Sequence, residues 1–289
     1  MICNPMFGKQ PAKAVSLKII MHTIDKRLHL TWAPLSFFAI HLGVLLIFVV
    51  SVNWIGIAMA IGLFIVRAFS ITAGFHRYFA HHSYKTNRFF QICLAFVGGT
   101  CGQKGVLWWV AHHRQHHQHS DTDQDVHSAK REGFYWAHVG WLISREYQTA
   151  YNPKMVKDWT KYPELVWLDR NHLLPPAALA VICFLAYGWM GLIWGFFLST
   201  VLLYHATFSI NSVCHLFGSR RYGTGESSRN TWWLSLFTLG ESWHNNHHQF
   251  PQSSRHGLFW WEIDLTYYGL RLLSLLGIVR DLKVAVAAP

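Results

Sequence analysis

The sequence predicts an all-α integral membrane protein, with four transmembrane helices in two hairpins beneath a histidine-rich cytoplasmic cap. Three observations carry that expectation. Charged residues make up 13% of the chain against 52% hydrophobic, about half the roughly 25% charged share of an average soluble domain. The long apolar runs come in two pairs, each joined by a short uncharged connection. The histidines gather in clusters that fall outside those runs. The 289 residues read as one domain, since no low-complexity linker or internal repeat divides them.

The chain opens with residues 1–31, where Lys9, Lys13, Lys18, Lys26 and Arg27 occur without a long apolar run. They are expected to form an arm on one membrane face. No short apolar core precedes a small-residue site, so no cleaved signal is expected. Residues 32–50 and 54–71 each approach the ~20 residues that cross a bilayer, and only Ser51, Val52 and Asn53 separate them. The outer flanks carry Lys and Arg and the connection does not, which places the termini in the cytoplasm. The second pair is 173–187 and 192–210, joined by Gly188 to Gly191, and Arg220, Arg221 and Arg229 follow it. Segments 72–172 and 211–289 are then cytoplasmic. Within the first of them, Phe89 to Val110 is apolar but broken by glycines, which suits an interfacial or re-entrant helix.

Cys3, Cys93, Cys101, Cys183 and Cys214 are odd in number and include no C-x-x-C pair, so neither a disulfide framework nor a zinc ribbon is expected. The formal charge of +11 falls in segments flanking apolar runs and forms no nucleic-acid-binding motif.

Three histidine clusters organise the rest. His244, His247 and His248 stand at i, i+3 and i+4, as do His113, His116 and His117, and His76 and His81 form a looser pair. On a helix, i, i+3 and i+4 share a face, so the imidazoles can share a metal. Neutral imidazole suits Fe, Zn or Cu. Eight imidazoles exceed the four ligands of one tetrahedral zinc, and two metals are the economical count. His76 and His81, five apart, stand about 140° apart on an ideal α-helix and would not share a face. Asn211 and His215, at i and i+4, extend the last span on one side. A transporter is disfavoured, because transport needs ligands near the bilayer midplane and the spans offer mainly His41 and His205.

The spacing His76-x4-His81, His113-x2-His116-His117 and His244-x2-His247-His248 resembles the three histidine boxes of the membrane fatty acid desaturases. The stretches Gly74-Phe-His-Arg-Tyr-Phe, His138-Val-Gly-Trp141, Asn211-Ser-Val-Cys-His-Leu-Phe-Gly218 and His247-His-Gln-Phe-Pro251 are similar to the stearoyl-CoA Δ9-desaturase branch. The resemblance implies a non-haem di-iron centre held by His76, His81, His113, His116, His117, His215, His244, His247 and His248, with Asn211 holding one metal through a water. It implies O2 as co-substrate and a cis double bond made in a long saturated acyl chain, at Δ9. A hydroxylase, or a desaturase of other regiochemistry, is the neighbouring alternative. Such a site also needs an apolar tunnel for the acyl chain, which the sequence does not locate.

Residues flanking the boxes carry further expectations. His82, His112 and His119 read as groups that hydrogen-bond to ligands or face solvent. His22, His29, His41, His172, His205 and His256 read as isolated and structural, and His138 as a packing or hydrogen-bonding residue. Asp121 to Asp125 imitates the start of a calcium loop, but Val126 stands where that loop needs Gly. These carboxylates are expected to orient box histidines or meet a polar head group. Ala111 and His112 precede the second box where the animal acyl-CoA enzymes carry Arg-Asp, which leaves CoA, phospholipid and carrier-protein esters open as the acyl carrier. No His-Pro-Gly-Gly haem motif occurs, so electrons are expected from a separate ferredoxin, flavoprotein or cytochrome b5.

Overall fold

The computed structural model describes residues 32–144, 147 and 151–286; the arm expected over 1–31 lies outside them. The architecture is helical. The first apolar run forms α1 (Trp32–Val44), which tightens into a 3-10 turn over Leu45–Phe48. Asn53 accepts a hydrogen bond from the Gly56 amide at 2.8 Å and so caps α2 (Trp54–Phe69). The helix does not stop at Ile71 as expected. It continues as a π-helix over Ser70–Ala80, because the buried side chains Phe75 and Phe79 keep that stretch in the core.

The apolar segment after the first box is neither one span nor one re-entrant helix. It divides into α3 (Arg88–Gly99) and α4 (Val106–His119). Gly105 precedes α4 and offers no side-chain cap. Asp169, near the end of α5 (Pro163–Arg170), supplies one from a distance: its Oδ1 accepts from the amides of Leu107 and Trp108, each at 2.9 Å. That bond fixes the start of the helix that carries the second box.

Pro175 and Pro176 occupy the first turn of α6 (Leu174–Met190), where a missing N–H costs nothing. The regular helix breaks at Tyr187 and Gly188, and Gly188 takes φ 57°, a left-handed backbone that glycine adopts without a Cβ penalty. The chain then turns back through a π-helical stretch, Gly191–Leu198, into α7 (Ser199–Leu216). The two arms approach so closely that a Cβ on Gly191 would stand 2.0 Å from the Cys183 carbonyl oxygen. The expected connection 188–191 is therefore a reversal.

Among the described residues, two helical stretches are long and apolar enough to cross a bilayer, Trp54–Ala80 and Leu174–Leu216. The first expected span is a shorter apolar helix, Pro34–Phe48, and the fourth is the second half of the Leu174–Leu216 stretch.

Buried cations join these helices to the C-terminal part. Arg67 donates to Ser199 Oγ (2.7 Å), Thr200 Oγ1 (2.9 Å) and the Thr100 carbonyl (2.7 Å), tying α2 to the start of α7 and the end of α3. Arg77 is fully buried and donates to Glu241, Asp264 and the Ser254 carbonyl. A buried guanidinium is tolerated because its N–H fork finds carboxylates and carbonyls. Further along, the chain forms α8 (His244–Gln249) and α9 (Leu265–Leu275), and shorter helical segments join the longer helices. A two-stranded antiparallel pair, Lys85–Thr86 with Val279–Arg280, holds the C-terminal segment beside the first box.

Candidate metal centre

The π-helix decides the geometry of the first box. Its i→i+5 bond, His81 N–H to the His76 carbonyl at 3.2 Å, puts residue i+5 almost beneath residue i. His76 and His81 therefore share a face, with ring centroids 4.9 Å apart. This corrects the expectation from an ideal α-helix. On α4, His113 and His117 point to one side, and His116 is displaced toward the other group. On α8 the two residues between the ligand positions are buried and anchor the helix. Asn245 Oδ1 accepts from the Arg221 and Tyr222 amides, and Asn246 Nδ2 donates to the His256 carbonyl and to Glu262.

The eight box histidines and His215 come together, in two groups. One comprises His76, His81, His113, His117 and His247; the other comprises His116, His215, His244 and His248. In the first, Nε2 of His247 lies 3.0 Å from Nε2 of His76 and 2.9 Å from Nε2 of His117, and the His81 and His113 Nε2 atoms are 2.7 Å apart. In the second, Nε2 of His244 lies 3.0 Å from that of His215 and 3.1 Å from that of His248.

The opposite ring nitrogens explain which atoms are bare. Nδ1 of His76 meets Glu241, and Nδ1 of His116 meets Asp125 Oδ1 at 2.8 Å. Nδ1 of His215 meets Ser227 Oγ at 3.1 Å, while Glu226 lies 3.6 Å from Nδ1 of His248. A neutral imidazole that donates from Nδ1 keeps a lone pair on Nε2. Lone pairs thus converge on two points, an arrangement that only a cation satisfies, so the residues fit a metal. Carboxylates on the outer nitrogens are the usual means of fixing the tautomer of a ligating histidine.

Electrostatics agree. Burial, and after it the neighbouring imidazoles, holds His81, His113, His117, His244, His247 and His248 well below the ordinary histidine range and pushes His215 down to about 3. Burial raises Glu241, but His76 and Arg77 outweigh it and keep the carboxylate ionised. Asp125 is likewise lowered, burial being overcome by His116.

Asn211 lines the same cavity as His76 and His113 of one group and His116 and His244 of the other. That cavity is walled by Ala68, Ile71, Ala206, Ile210 and Phe237 together with these histidines.

Other residues need correction. Asp125 meets the expectation for its acidic stretch, but Glu226 and Glu241 carried no spacing signal. His256, expected to be isolated, is buried with its ring 4.5 Å from His247 and 5.4 Å from His76. His127, which no motif marked, packs 4.2 Å from His116. His82 faces Asp158 and Arg114, and His112 is buried against the Trp108 carbonyl at 2.9 Å. His41, His138 and His205 are joined to one another.

Comparison with known proteins gives the same reading. The fatty acid desaturase family model matches residues 51–273. An sn-1 stearoyl-lipid 9-desaturase of Anabaena variabilis is 39% identical over 259 residues, 89% of this chain and 95% of the relative. An sn-2 palmitoyl-lipid 9-desaturase of Nostoc is 35% identical over 267 residues, 90% of this chain and 92% of the relative. An acyl-CoA C20 Δ5-desaturase of Anemone leveillei is 37% identical over 222 residues, 76% and 71% of the two chains. With its histidine boxes gathered beside an apolar cavity, the chain belongs to the fatty acid desaturase family and is an oxidoreductase that introduces a double bond into an acyl chain.

Proposed function

We propose that this enzyme is a di-iron acyl-lipid desaturase that makes a cis-Δ9 double bond in a long saturated chain esterified to a membrane lipid. The observation that carries the reading is the convergence of nine histidines into two groups beside an apolar cavity that His76, His113, His116 and His244 line. His76, His81, His113, His117 and His247 would hold one iron. His116, His215, His244 and His248 would hold the other, with Asn211 reaching it through water. Bound there with O2, the metals supply the oxidising power that removes two hydrogens from adjacent unactivated methylenes, chemistry beyond any side-chain acid or base.

The chain's own residues do the rest. Glu241, Asp125 and Glu226 face the outer ring nitrogens of His76, His116 and His248 and fix their tautomer. Ala68, Ile71, Ala206, Ile210 and Phe237 exclude water and hold an acyl chain beside the histidines.

The lipid ester is favoured over CoA by the residues before the second box. Ala111 is buried, and His112 is buried and pushed down to about 4, by burial first. Neither presents a cation to a phosphorylated carrier. Relatives named for stearoyl-lipid and palmitoyl-lipid substrates support the same choice.

Two hairpins make four spans in this reading. The termini and the histidine-rich cap are then cytoplasmic, where a separate redox protein delivers two electrons per turnover. A fatty-acid profile of a bacterial host lacking oxygen-dependent desaturases tests the reaction. Wild type with a matched electron donor is expected to give cis-Δ9 chains in air only, and His247→Ala to give none. A hydroxylated product, or none from wild type with that donor, overturns the proposal.

A further inference from the structure

The helix α9 is apolar on both of its faces. Thr266, Tyr267 and Leu270 are buried against the rest of the protein. The opposite face carries Leu265, Tyr268, Leu272, Leu275 and, just past the helix end, Leu276. All five are exposed, Leu275 by 79%. Their positions follow i, i+3, i+7, i+10 and i+11, a single stripe about 100° wide. The stripe holds no carboxylate, and Arg271 stands at its edge. A helix whose outer side met water would carry charged and polar residues there. A contiguous exposed apolar patch marks an interaction site.

The stripe adjoins the exposed apolar side of α2. Gly269 lies so close to the end of α2 that a Cβ there would stand 2.5 Å from the Phe69 ring. Thr266 Oγ1 lies 2.8 Å from Thr72 Oγ1. Ile65, one turn before Phe69 on the same side of α2, is exposed, as is Ile61 a turn further on. Both belong to the stretch Trp54–Ala80, which is long and apolar enough to cross a bilayer. Four exposed tryptophans lie on the same part of the cap. Trp260 and Trp261 stand just before α9, and Trp232 and Trp233 stand on a segment bonded to it. The Leu239 carbonyl accepts from the Thr266 amide at 3.0 Å, and the Ile263 carbonyl accepts from Trp243 Nε1–H at 2.9 Å. Phe237 of that segment stacks on Phe64 of α2, with ring centroids 5.6 Å apart. Indole rings collect where hydrocarbon meets headgroups.

We propose that α9 is an interfacial helix whose leucine stripe, with the four tryptophans beside it, is sunk into the bilayer leaflet on the histidine side of the spans. The partner is the lipid surface itself. Continuity with the exposed side of α2 and the tryptophans select it, and Arg271 at the edge of the stripe reaches the headgroups. The attachment extends to the first histidine box. Asp264 caps α9 by accepting from the Tyr267 amide at 2.9 Å, and it also accepts from Arg77, the residue after His76. The bilayer therefore holds that box from two directions, along α2 and through α9. The inference rests on α2 being a membrane span.

Nitroxide labelling of the full-length chain in nanodiscs of phosphatidylcholine and phosphatidylglycerol tests this. In a Cys3→Ser, Cys93→Ser background, Leu272→Cys, Leu275→Cys, Ile61→Cys and Gln124→Cys are labelled one at a time. Collision of each label with O2, which concentrates in hydrocarbon, is compared with collision with a water-soluble nickel chelate. Gln124 is exposed beside the second box and gives the value for water. At Leu272 and Leu275 nickel collision is expected to fall several-fold below that value and O2 collision to rise, as at Ile61. Nickel collision equal to that at Gln124 overturns the proposal. Shielding from both reagents also overturns it and assigns the stripe to a protein partner, a second copy or residues 1–31. If Leu272→Cys does not fold, the more exposed Leu275 decides. Lipid at Ile61 with water at α9 sinks the interfacial helix alone, and water at Ile61 as well sinks the span.

Discussion

At the scale of single residues, the site works by leaving lone pairs bare and aimed. Glu241 is the most heavily used carboxylate, since it meets His76, Arg77 and the side of His256. Glu241→Gln keeps the shape but removes the charge that holds the His76 proton on Nδ1. Metal affinity is expected to fall about 10–100-fold, read as iron retained against a chelator. Acid acts on the same atoms. His81, His113, His117, His215, His244, His247 and His248 sit below their unfolded value of about 6.5, so below that pH the unfolded chain binds more protons than the folded one. Stability of the metal-free protein is expected to fall as pH drops through 6.5, by up to ~1.4 kcal/mol per pH unit for each such histidine. Thermal melts of metal-free protein from neutral to mildly acid pH check this, and a flat profile would contradict the bare-histidine site.

At the scale of elements, two local departures set the ligands. The π-helix over Ser70–Ala80 turns a five-residue spacing into one face, and the borrowed cap of Asp169 fixes the axis of α4. Asp169→Ala leaves two amides of that helix unpaired and is expected to cost about 1–2 kcal/mol. A lower melting temperature in detergent, together with weaker metal retention, is the expected result. An unchanged melt would mean that another group caps α4. Neither device was legible in the sequence. His76-x4-His81 reads the same in an α- or a π-helix, and Asp169 lies far along the chain from the amides it caps.

At the scale of the whole molecule, the close contact of Gly191 with Cys183 makes a tight reversal at one end of the helices, and the histidine groups gather at the other. Four spans follow if both connections face away from the cap. With Cys3 and Cys93 replaced by serine, cysteines introduced at Ser51 and Trp189 are expected to react with a membrane-impermeant maleimide on intact cells. Cysteines at Gln118 and Arg220 are expected to react only after permeabilisation. Labelling of all four from outside would refute the topology.

The sequence by itself determined the apolar hairpins, the eight box histidines and the family, because hydropathy and i, i+3, i+4 spacing are local properties of the chain. Tertiary structure decided what depends on approach between distant segments. It sorted the histidines into groups of five and four and brought Glu226 and Glu241 to their outer nitrogens. It also set His256 against His247 and lined up His41, His138 and His205, residues that the chain shows only as scattered imidazoles. A ligand's neighbours are chosen by packing, and no spacing rule reaches across 164 residues to join His41 to His205.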